Sequence, residues 1–266
     1  MNLGVKGKVV LVTGASKGIG LAIANAFAAE GAKVALNARG ADDLDRAVDT
    51  IKKAGGEAAA FPADVTDAAA VIKMVEVVAK RFGTIDVLVN NAGGVGSFAS
   101  FDDLTDDDWH SILELNVMSA VRVTRAVLPY MRRNKWGRII NISSESAVQP
   151  DAAMAHYNAS KAAMTNLTKS LSKAYAIEGI LVNTVSPAMI MTPLVEGIFD
   201  GEARAQGITR DQAVAGFLAT NRSHIEVKRP GTSEEVAAAV VFLASEAASF
   251  INGTDLRVDG GSVAHM

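Results

Sequence analysis

Residues 8–20, KVVLVTGASKGIG, join a short apolar run to a turn that contains three glycines. The run at 8–12 has the β-branched composition of a strand that is buried on both faces. An alanine-rich segment at 21–29 follows the last glycine and favours a helix. Glycines between a strand and a helix N-terminus bring backbone amides and positive potential close to a pyrophosphate. The stretch therefore predicts a dinucleotide-binding turn in an α/β fold.

Further short apolar runs, many of them preceded by a glycine, alternate with segments of helical spacing along the rest of the chain. We expect strands at 8–13, 33–37, 57–61, 86–90, 137–143, 180–185 and 254–258. We expect helices at 21–30, 67–82, 109–133 and 160–177. This alternation predicts a single domain over residues 1–266, a Rossmann-like, doubly wound parallel sheet of about seven strands with helices on both faces. The long stretch at 189–229 reads as irregular and predicts a substrate lid.

The composition excludes several classes of protein. The chain has 26 basic and 29 acidic residues, a net charge of −3, and no basic blocks, so a nucleic-acid-binding surface is not expected. It has no cysteine, which excludes disulfides, zinc ribbons and iron–sulfur clusters. We identify neither a signal peptide nor an apolar stretch long enough to cross a bilayer, and therefore expect a cytoplasmic protein without membrane contact.

The end of the second predicted strand indicates which dinucleotide is bound. An NAD site usually has a carboxylate there for the ribose 2′-hydroxyl, but here no acidic residue occurs before Asp42. Arg39 stands at this point, and Lys17 in the glycine turn adds a second positive charge. Two cations suit a 2′-phosphate, so the sequence predicts NADP(H) in preference to NAD(H).

Tyr157 and Lys161 are four residues apart in a helix-forming segment, so their side chains share one face. A nearby ammonium favours the phenolate, which predicts a lowered tyrosine pKa and acid/base function near neutral pH. The predicted strand at 137–143 ends near Ser143 and Ser144, and ligands bind at the carboxyl ends of parallel strands. A serine there could hydrogen-bond a substrate carbonyl, although turn capping is its ordinary role.

In these combined motifs the chain resembles the short-chain dehydrogenase/reductase family, in its compact single-domain branch, from residue 7 to about residue 262. The family's glycine motif matches residues 13–20, and its Asn-Asn-Ala-Gly motif matches residues 90–93. The family's catalytic serine falls on Ser144, thirteen residues before Tyr157, and its catalytic asparagine matches Asn116. One departure is Ala188, where the family commonly has glycine.

The resemblance implies a role for each member of the catalytic tetrad Asn116, Ser144, Tyr157 and Lys161. Tyr157 would donate a proton to the carbonyl oxygen, and Ser144 would orient the carbonyl. Lys161 would lower the pKa of Tyr157 and hold the nicotinamide ribose, while Asn116 would anchor a water. The resemblance and the glycine turn together imply that NADP(H) is held by Gly14, Ser16, Lys17, Gly18, Ile19, Gly20, Arg39, Asp64, Val65, Asn91, Ala92, Gly93, Tyr157, Lys161, Pro187, Ile190 and Thr192.

We therefore predict an oxidoreductase that interconverts a small ketone and a secondary alcohol with NADP(H), as a homodimer or homotetramer through helices around 105–133 and 155–178. A competing hypothesis is a 3-oxoacyl-acyl-carrier-protein reductase, which this family contains and which docks an acidic carrier through basic residues. Lys135 keeps one such position, but Glu178 occupies the other and would repel the carrier. The sequence also leaves open a catalytically silent NADP-binding regulator and a lyase or epimerase.

Several conspicuous residues receive a structural interpretation. We expect His156 at the pocket rim or in solvent, because adjacent helix positions point about 100° apart. The acidic residues at 102–108 are interpreted as helix N-terminal charges near Thr105, and no metal site is predicted. Met189 and Met191 flank the predicted nicotinamide pocket and either shape it or fill a core. The substrate pocket walls are expected from 94–98, 145–154 and 189–229.

Overall fold

The computed structural model describes residues 3–264, so both ends of the predicted 1–266 domain lie outside the described residues. Its main sheet has seven parallel strands, which are β1 (Val9–Thr13), β2 (Lys33–Asn37), β3 (Glu57–Ala60), β4 (Val87–Asn90), β5 (Gly137–Ile142), β6 (Ile180–Pro187) and β9 (Asp255–Val258). They lie side by side in the order β3-β2-β1-β4-β5-β6-β9. Two short strands, β7 (Ile190–Met191) and β8 (Gly231–Thr232), pair separately.

Helices connect these strands. They are α1 (Gly18–Ala29), α2 (Ala41–Lys53), α3 (Ala68–Phe82), α4 (Asp106–Leu113), α5 (Ser119–Asn134), α6 (Ala155–Tyr175), α7 (Pro193–Gln206), α8 (Arg210–Asn221) and α9 (Ser233–Leu243). Within residues 3–264, no helix is both long and apolar enough to cross a membrane.

The central strand β1 shows why its sequence is apolar without interruption. Val10 and Val12 pack into the core formed with α1, α2 and α9, whereas Leu11 packs into the opposite core with α3 and α5. Successive side chains of a strand point to opposite faces, so covering both faces with helices buries every position. All five residues of β1 are buried. The predicted fold class, a doubly wound parallel sheet with helices on both faces, is confirmed.

The strand order positions the site. The next strands along the chain after β1, which are β2 and β3, lie on one side of β1, whereas β4, β5, β6 and β9 lie on its other side. Such a reversal leaves a crevice at the carboxyl ends of β1 and β4, where open α/β sheets bind ligands. The glycine turn follows β1 at this crevice. Asn90 is the last residue of β4, and residues 91–93 follow it there.

The stretch at 189–229 differs from the prediction of an irregular segment, because α7 and α8 occupy most of it. Glycines at 197, 201, 207 and 216 obscured the helical pattern. Capping signals were nevertheless present: Pro193 follows the N-cap Thr192, and Thr209 forms a capping box with Gln212. The helices α2 and α9 were also missed.

Candidate active site

The turn after β1 has the shape of a phosphate cradle. Gly14 and Gly18 have φ values of +64° and +56°, a conformation that glycine adopts without strain. A Cβ on Gly20 would lie 2.3 Å from the Gly14 carbonyl oxygen, so a side chain would fill the turn. Helix α1 begins at Gly18, and the N-cap Lys17 makes no side-chain capping bond. The first amides of α1, including Ile19 beside Gly18, therefore fit the pyrophosphate of a dinucleotide.

Hydrogen bonds tie this turn to the segment that follows β4. The Asn91 Nδ2 donates to the backbone oxygens of Thr13 at 2.8 Å and Gly14 at 3.1 Å. In return, the Thr13 Oγ1 accepts from the backbone amides of Asn91 and Ala92, both at 3.0 Å. The side-chain and backbone amides of Asn91 thus hold the glycine turn, and two segments that are distant in sequence form one wall of the site.

Two cations, Arg39 and Lys17, lie near the end of β2, and β2 itself ends without a carboxylate. Arg39 is exposed and forms no salt bridge within residues 3–264, while Lys17 lies 3.8 Å from Asp43 in a solvent-exposed pair. Hydrogen bonds from the backbone and side chain of Thr66 lower the pKa of Asp64, and Arg39 adds a smaller lowering. Ser16 lies in the glycine turn, and Val65 is buried behind Asp64.

The catalytic candidates meet beyond β5. The Ser144 side chain approaches the Tyr157 phenol closely enough to hydrogen-bond with it. By contrast, the Ser143 Oγ donates to the Lys161 backbone oxygen at 3.0 Å and faces the interior. Of the two serines that follow β5, Ser144 is the one that lines the pocket together with Tyr157.

Lys161 is buried below the tyrosine. Its Nζ donates to the Ile142 backbone oxygen at 2.9 Å and lies 5.6 Å from the centre of the Tyr157 ring. Burial lowers the pKa of Lys161 to about 8, because the charged ammonium loses hydration. The ammonium is therefore held by a strand carbonyl rather than by the phenol oxygen.

Asn116 lies in a π-helical turn, Glu114–Met118, that separates α4 from α5 within the predicted helix at 109–133. Its Oδ1 accepts from the Gly94 amide, and its Nδ2 donates to the Gly94 oxygen and the Ser160 Oγ, all at 2.9 Å. A Cβ on Gly93 would lie 3.0 Å from the Asn116 Oδ1 and 3.6 Å from the Lys161 Nζ. The π turn thus brings Asn116 beside the glycine segment and the lysine, and such turns are frequent at functional sites.

The pKa of Tyr157 differs from the expectation. Burial raises it above its ordinary value, the Ser144 hydrogen bond lowers it, and the neighbouring Glu145 carboxylate raises it further. Lys161 is not among the groups that lower it, since its ammonium is directed to Ile142. The predicted lowering by Lys161 is therefore wrong for the protein alone, in which Tyr157 keeps its proton at neutral pH.

This result predicts how Tyr157 titrates. The chain has three tyrosines, so the phenolate absorbance of the wild type minus that of Tyr157→Phe isolates one group. We expect this difference to titrate above pH 10, the ordinary tyrosine value being about 10. Tyr157→Phe serves as the matched control. A difference signal with a midpoint near pH 7 would contradict this account.

A pocket of about 470 Å³ opens above Tyr157. Most of its lining comes from the three predicted walls, namely Val95, Phe98, Glu145, Ser146, Met154, Met189, Val195, Ile198, Phe199, Glu202, Phe217 and Arg222, and Ser144, Tyr157 and Ala188 complete it. Met189 lines the pocket, and both Met189 and Met191 pack against the small core of α7 and α8. The volume lies within the range of small-molecule sites, and the lining is mostly apolar.

The remaining predicted cofactor residues border this pocket and the glycine turn. Pro187 ends β6, and Ile190 begins β7. A Cβ on Gly18 would lie 3.5 Å from the Thr192 Cγ2, so the N-terminus of α7 adjoins the phosphate cradle. This arrangement fits a dinucleotide that extends from the glycine turn toward Tyr157 and Lys161.

The expectation for His156 is wrong. Its side chain is fully buried, with its ring 6.2 Å from that of Trp109, and neither ring nitrogen has a hydrogen-bond partner within residues 3–264. It points toward α4 because its helix position is rotated away from that of Tyr157. A Cβ on Gly96 would lie 2.4 Å from the His156 Nε2, so the histidine supports the loop that carries Val95.

The interpretation of the acidic residues as N-terminal helix charges is confirmed for Asp106, Asp107 and Asp108, whereas Asp102 and Asp103 lie in a separate 3₁₀ turn, Phe101–Asp103. Helix α4 begins at Asp106, and Thr105 forms a capping box with Asp108. The carboxylates of Asp106, Asp107 and Asp108 lie in the first turn, where they complement the helix dipole. Among the residues at 3–264, no group of three His, Asp or Glu side chains is arranged to hold a metal ion.

Comparison with known proteins agrees with this geometry. The family model described as short chain dehydrogenase matches residues 8–203. An uncharacterised oxidoreductase of Bacillus subtilis is 39% identical over 99% of both chains, and a 3-oxoacyl-[acyl-carrier-protein] reductase of Salmonella typhimurium is 37% identical over 96% of this chain and 97% of its own. The L-sorbose reductase of Gluconobacter frateurii, solved with NADPH and L-sorbose, superposes with a TM-score of 0.95 at 37% identity over both whole chains. The protein is thus a member of the short-chain dehydrogenase family, whose members are nicotinamide-dependent oxidoreductases of secondary alcohols and ketones.

Proposed function

We propose that the protein reduces a small ketone to a secondary alcohol with NADPH and catalyses the reverse oxidation with NADP⁺. The observation that carries this proposal is the convergence of Ser144, Tyr157 and Lys161 at the floor of an apolar pocket that adjoins the glycine turn. The neighbouring L-sorbose reductase, solved with NADPH, supports the cofactor. Cytoplasmic location and assembly into a homodimer or homotetramer stay predictions.

In this proposal the bound nicotinamide supplies or accepts the hydride. Ser144 donates a hydrogen bond to the carbonyl oxygen and polarises it. Tyr157 donates its proton to the same oxygen as charge develops there, and its raised pKa keeps that proton in place at neutral pH. The Lys161 ammonium holds the ribose hydroxyls, and Asn116 fixes the loop at Gly94 against the catalytic helix.

The preference for NADPH rests on Arg39 and Lys17. A guanidinium presents two parallel donors that match a phosphate, and β2 ends without the carboxylate that an NAD site uses. Residues 189–229, which contain α7 and α8, would act as the lid over the substrate.

Initial rates with a panel of free ketones and with a carrier-bound 3-oxoacyl thioester test the proposal. We expect NADPH-dependent reduction of small ketones at least as efficient as that of the thioester. The absence of turnover with every ketone, alongside tight NADPH binding, would contradict the proposal and favour a silent regulator.

The carrier-protein hypothesis is supported by the similarity to the Salmonella typhimurium reductase. The surface of this chain bears on it directly. The Glu178 Oε2 lies 2.5 Å from the Arg132 Nε, so the predicted repelling charge is paired with a neighbouring cation. The same ion pair neutralises Arg132, which is three residues before Lys135. A basic docking surface at this place is weakened as a result. Much faster reduction of the thioester than of free ketones would establish the carrier-protein hypothesis, and Glu178→Arg would then show whether the carrier docks at this position.

A further inference from the structure

Glu145 is a buried carboxyl group in the wall of the substrate pocket. It directly follows Ser144, in the short 3₁₀ turn Glu145–Ala147, and is 7% exposed. It lines the pocket together with Ser144 and Tyr157 and is close enough to Tyr157 to raise the pKa of the phenol. A carboxylate is uncommon in such a position, because an ionised group that is buried without partners loses its hydration.

The hydrogen bonding of Glu145 is incomplete. The Ser262 hydroxyl donates to its Oε2, whereas its Oε1 has no hydrogen-bond partner within residues 3–264. The Arg222 guanidinium lines the same pocket but donates to Asp151, with the Arg222 Nη2 3.0 Å from the Asp151 Oδ2. Glu145 therefore has the capacity to accept a further hydrogen bond from a molecule in the pocket.

The surroundings of Glu145 also perturb its pKa. Burial raises the pKa of Glu145, while the Ser262 hydrogen bond and the charges of Arg222 and His224 lower it, and Asp259 raises it. Perturbed carboxyl groups in a cleft are enriched at functional sites. A purely structural role, that of tying residue 262 to the pocket wall, would use only one of the two oxygens.

The rest of the pocket limits what the substrate can be. Phe98, Met154, Ile198, Phe199 and Phe217 present an apolar lining suited to a short carbon chain. The single arginine of the lining, Arg222, is paired with Asp151, so no unpaired cation of the lining awaits a substrate carboxylate or phosphate. Glu145 would in addition repel an anion.

We propose that Glu145 is a specificity-determining residue that accepts a hydrogen bond from a hydroxyl group near the substrate carbonyl, so that the substrates are uncharged hydroxy ketones and the corresponding diols. This inference rests on the proposed ketone reduction and names its substrate class. A ligand that covers the Glu145 Oε1 without donating to it leaves this acceptor unpaired, so the pocket discriminates against an analogue without the donor.

The test compares butanone with 1-hydroxybutan-2-one and 4-hydroxybutan-2-one, which share one carbon skeleton. We expect the wild type to prefer at least one hydroxy ketone to butanone by about tenfold or more in kcat/KM, the effect of one hydrogen bond to a charged group. Glu145→Leu should remove this preference, and Glu145→Gln should reduce it, because a neutral amide is a weaker acceptor. Each variant is judged by its ratio of kcat/KM between two ketones, so an effect of Glu145 on Tyr157 that acts on all ketones alike cancels.

Two variants serve as controls. Glu202→Gln removes a carboxylate from the same pocket that, unlike Glu145, is partly exposed and therefore hydrated, so the preference should stay. Ser262→Ala breaks only the tether to Oε2 and should also keep the preference. Thermal unfolding identifies variants that fail to fold. If Glu145→Leu does not fold, the comparison of Glu145→Gln with the wild type still decides the test.

Equal kcat/KM values for the three ketones in the wild type would overturn the inference. An unchanged preference for hydroxy ketones in folded Glu145→Leu would also overturn it. If Glu145→Leu does not fold, an unchanged preference in Glu145→Gln would do the same. An equal loss of the preference in Ser262→Ala would overturn it as well. These results leave the proposed ketone reduction intact, because all of them require turnover. Reduction of none of the three ketones, nor of any other in the panel, would overturn the proposed function and this inference together.

Discussion

Replacing Tyr157 with phenylalanine is expected to lower kcat for ketone reduction by about 100-fold or more, the usual contribution of a positioned proton donor. The ring still packs above the Lys161 ammonium, at 5.6 Å from its centre to the Nζ, so the change removes the hydroxyl and little else. Steady-state kinetics at saturating NADPH and ketone measure the loss.

Direct binding of NADPH, followed by fluorescence, separates chemistry from affinity. Tyr157→Phe should bind the cofactor almost as the wild type does, whereas Lys161→Ala should lose both turnover and affinity, because its ammonium has two proposed roles. Near-wild-type turnover in Tyr157→Phe would remove the phenol from the mechanism.

Arg39→Ala is expected to reduce the ratio of kcat/KM for NADPH to that for NADH by about tenfold or more. Hydrogen bonds to a charged group contribute about 1.5–3 kcal/mol, and Arg39 is the proposed partner of the 2′-phosphate. Because the neighbouring Ala38 leaves room, adding Ala38→Asp to Arg39→Ala should supply the missing carboxylate and turn the preference toward NADH.

Arg46→Ala provides a matched control for this prediction. Arg46 is an exposed arginine on the neighbouring helix α2, and its guanidinium is paired with Asp43. Its removal should leave the cofactor ratio unchanged. Equal catalytic efficiency with both cofactors in the wild type would refute the assignment to NADP(H).

The fold could be predicted because its strands are buried on both faces. Uninterrupted runs such as Val9–Thr13 have no polar position before their last residue, and the helices between them have regular apolar spacing. The carboxyl-end rule predicted a serine beyond the fifth strand, the resemblance to the family selected Ser144, and the four-residue spacing pointed to Tyr157 with Lys161. These are local patterns, and local patterns are what a sequence displays.

The features that were missed depend on contacts between distant segments. The lowered tyrosine pKa was inferred from the spacing to Lys161, but the direction of that ammonium depends on the carbonyl of Ile142. The burial of His156 depends on Trp109 of another helix. Glu145 was expected in the pocket wall, but its contact with Ser262 joins segments 117 positions apart and could not be predicted.

The most direct test of the central claim follows the hydride itself. Wild-type protein is given a ketone and NADPH that carries deuterium at the transferable position of nicotinamide C4, and the alcohol is analysed by mass spectrometry. The account predicts an alcohol that contains one deuterium on the former carbonyl carbon, formed in equal amount to the NADP⁺ produced. An unlabelled alcohol with both C4 epimers of the labelled NADPH, or oxidation of NADPH without formation of an alcohol, would contradict it.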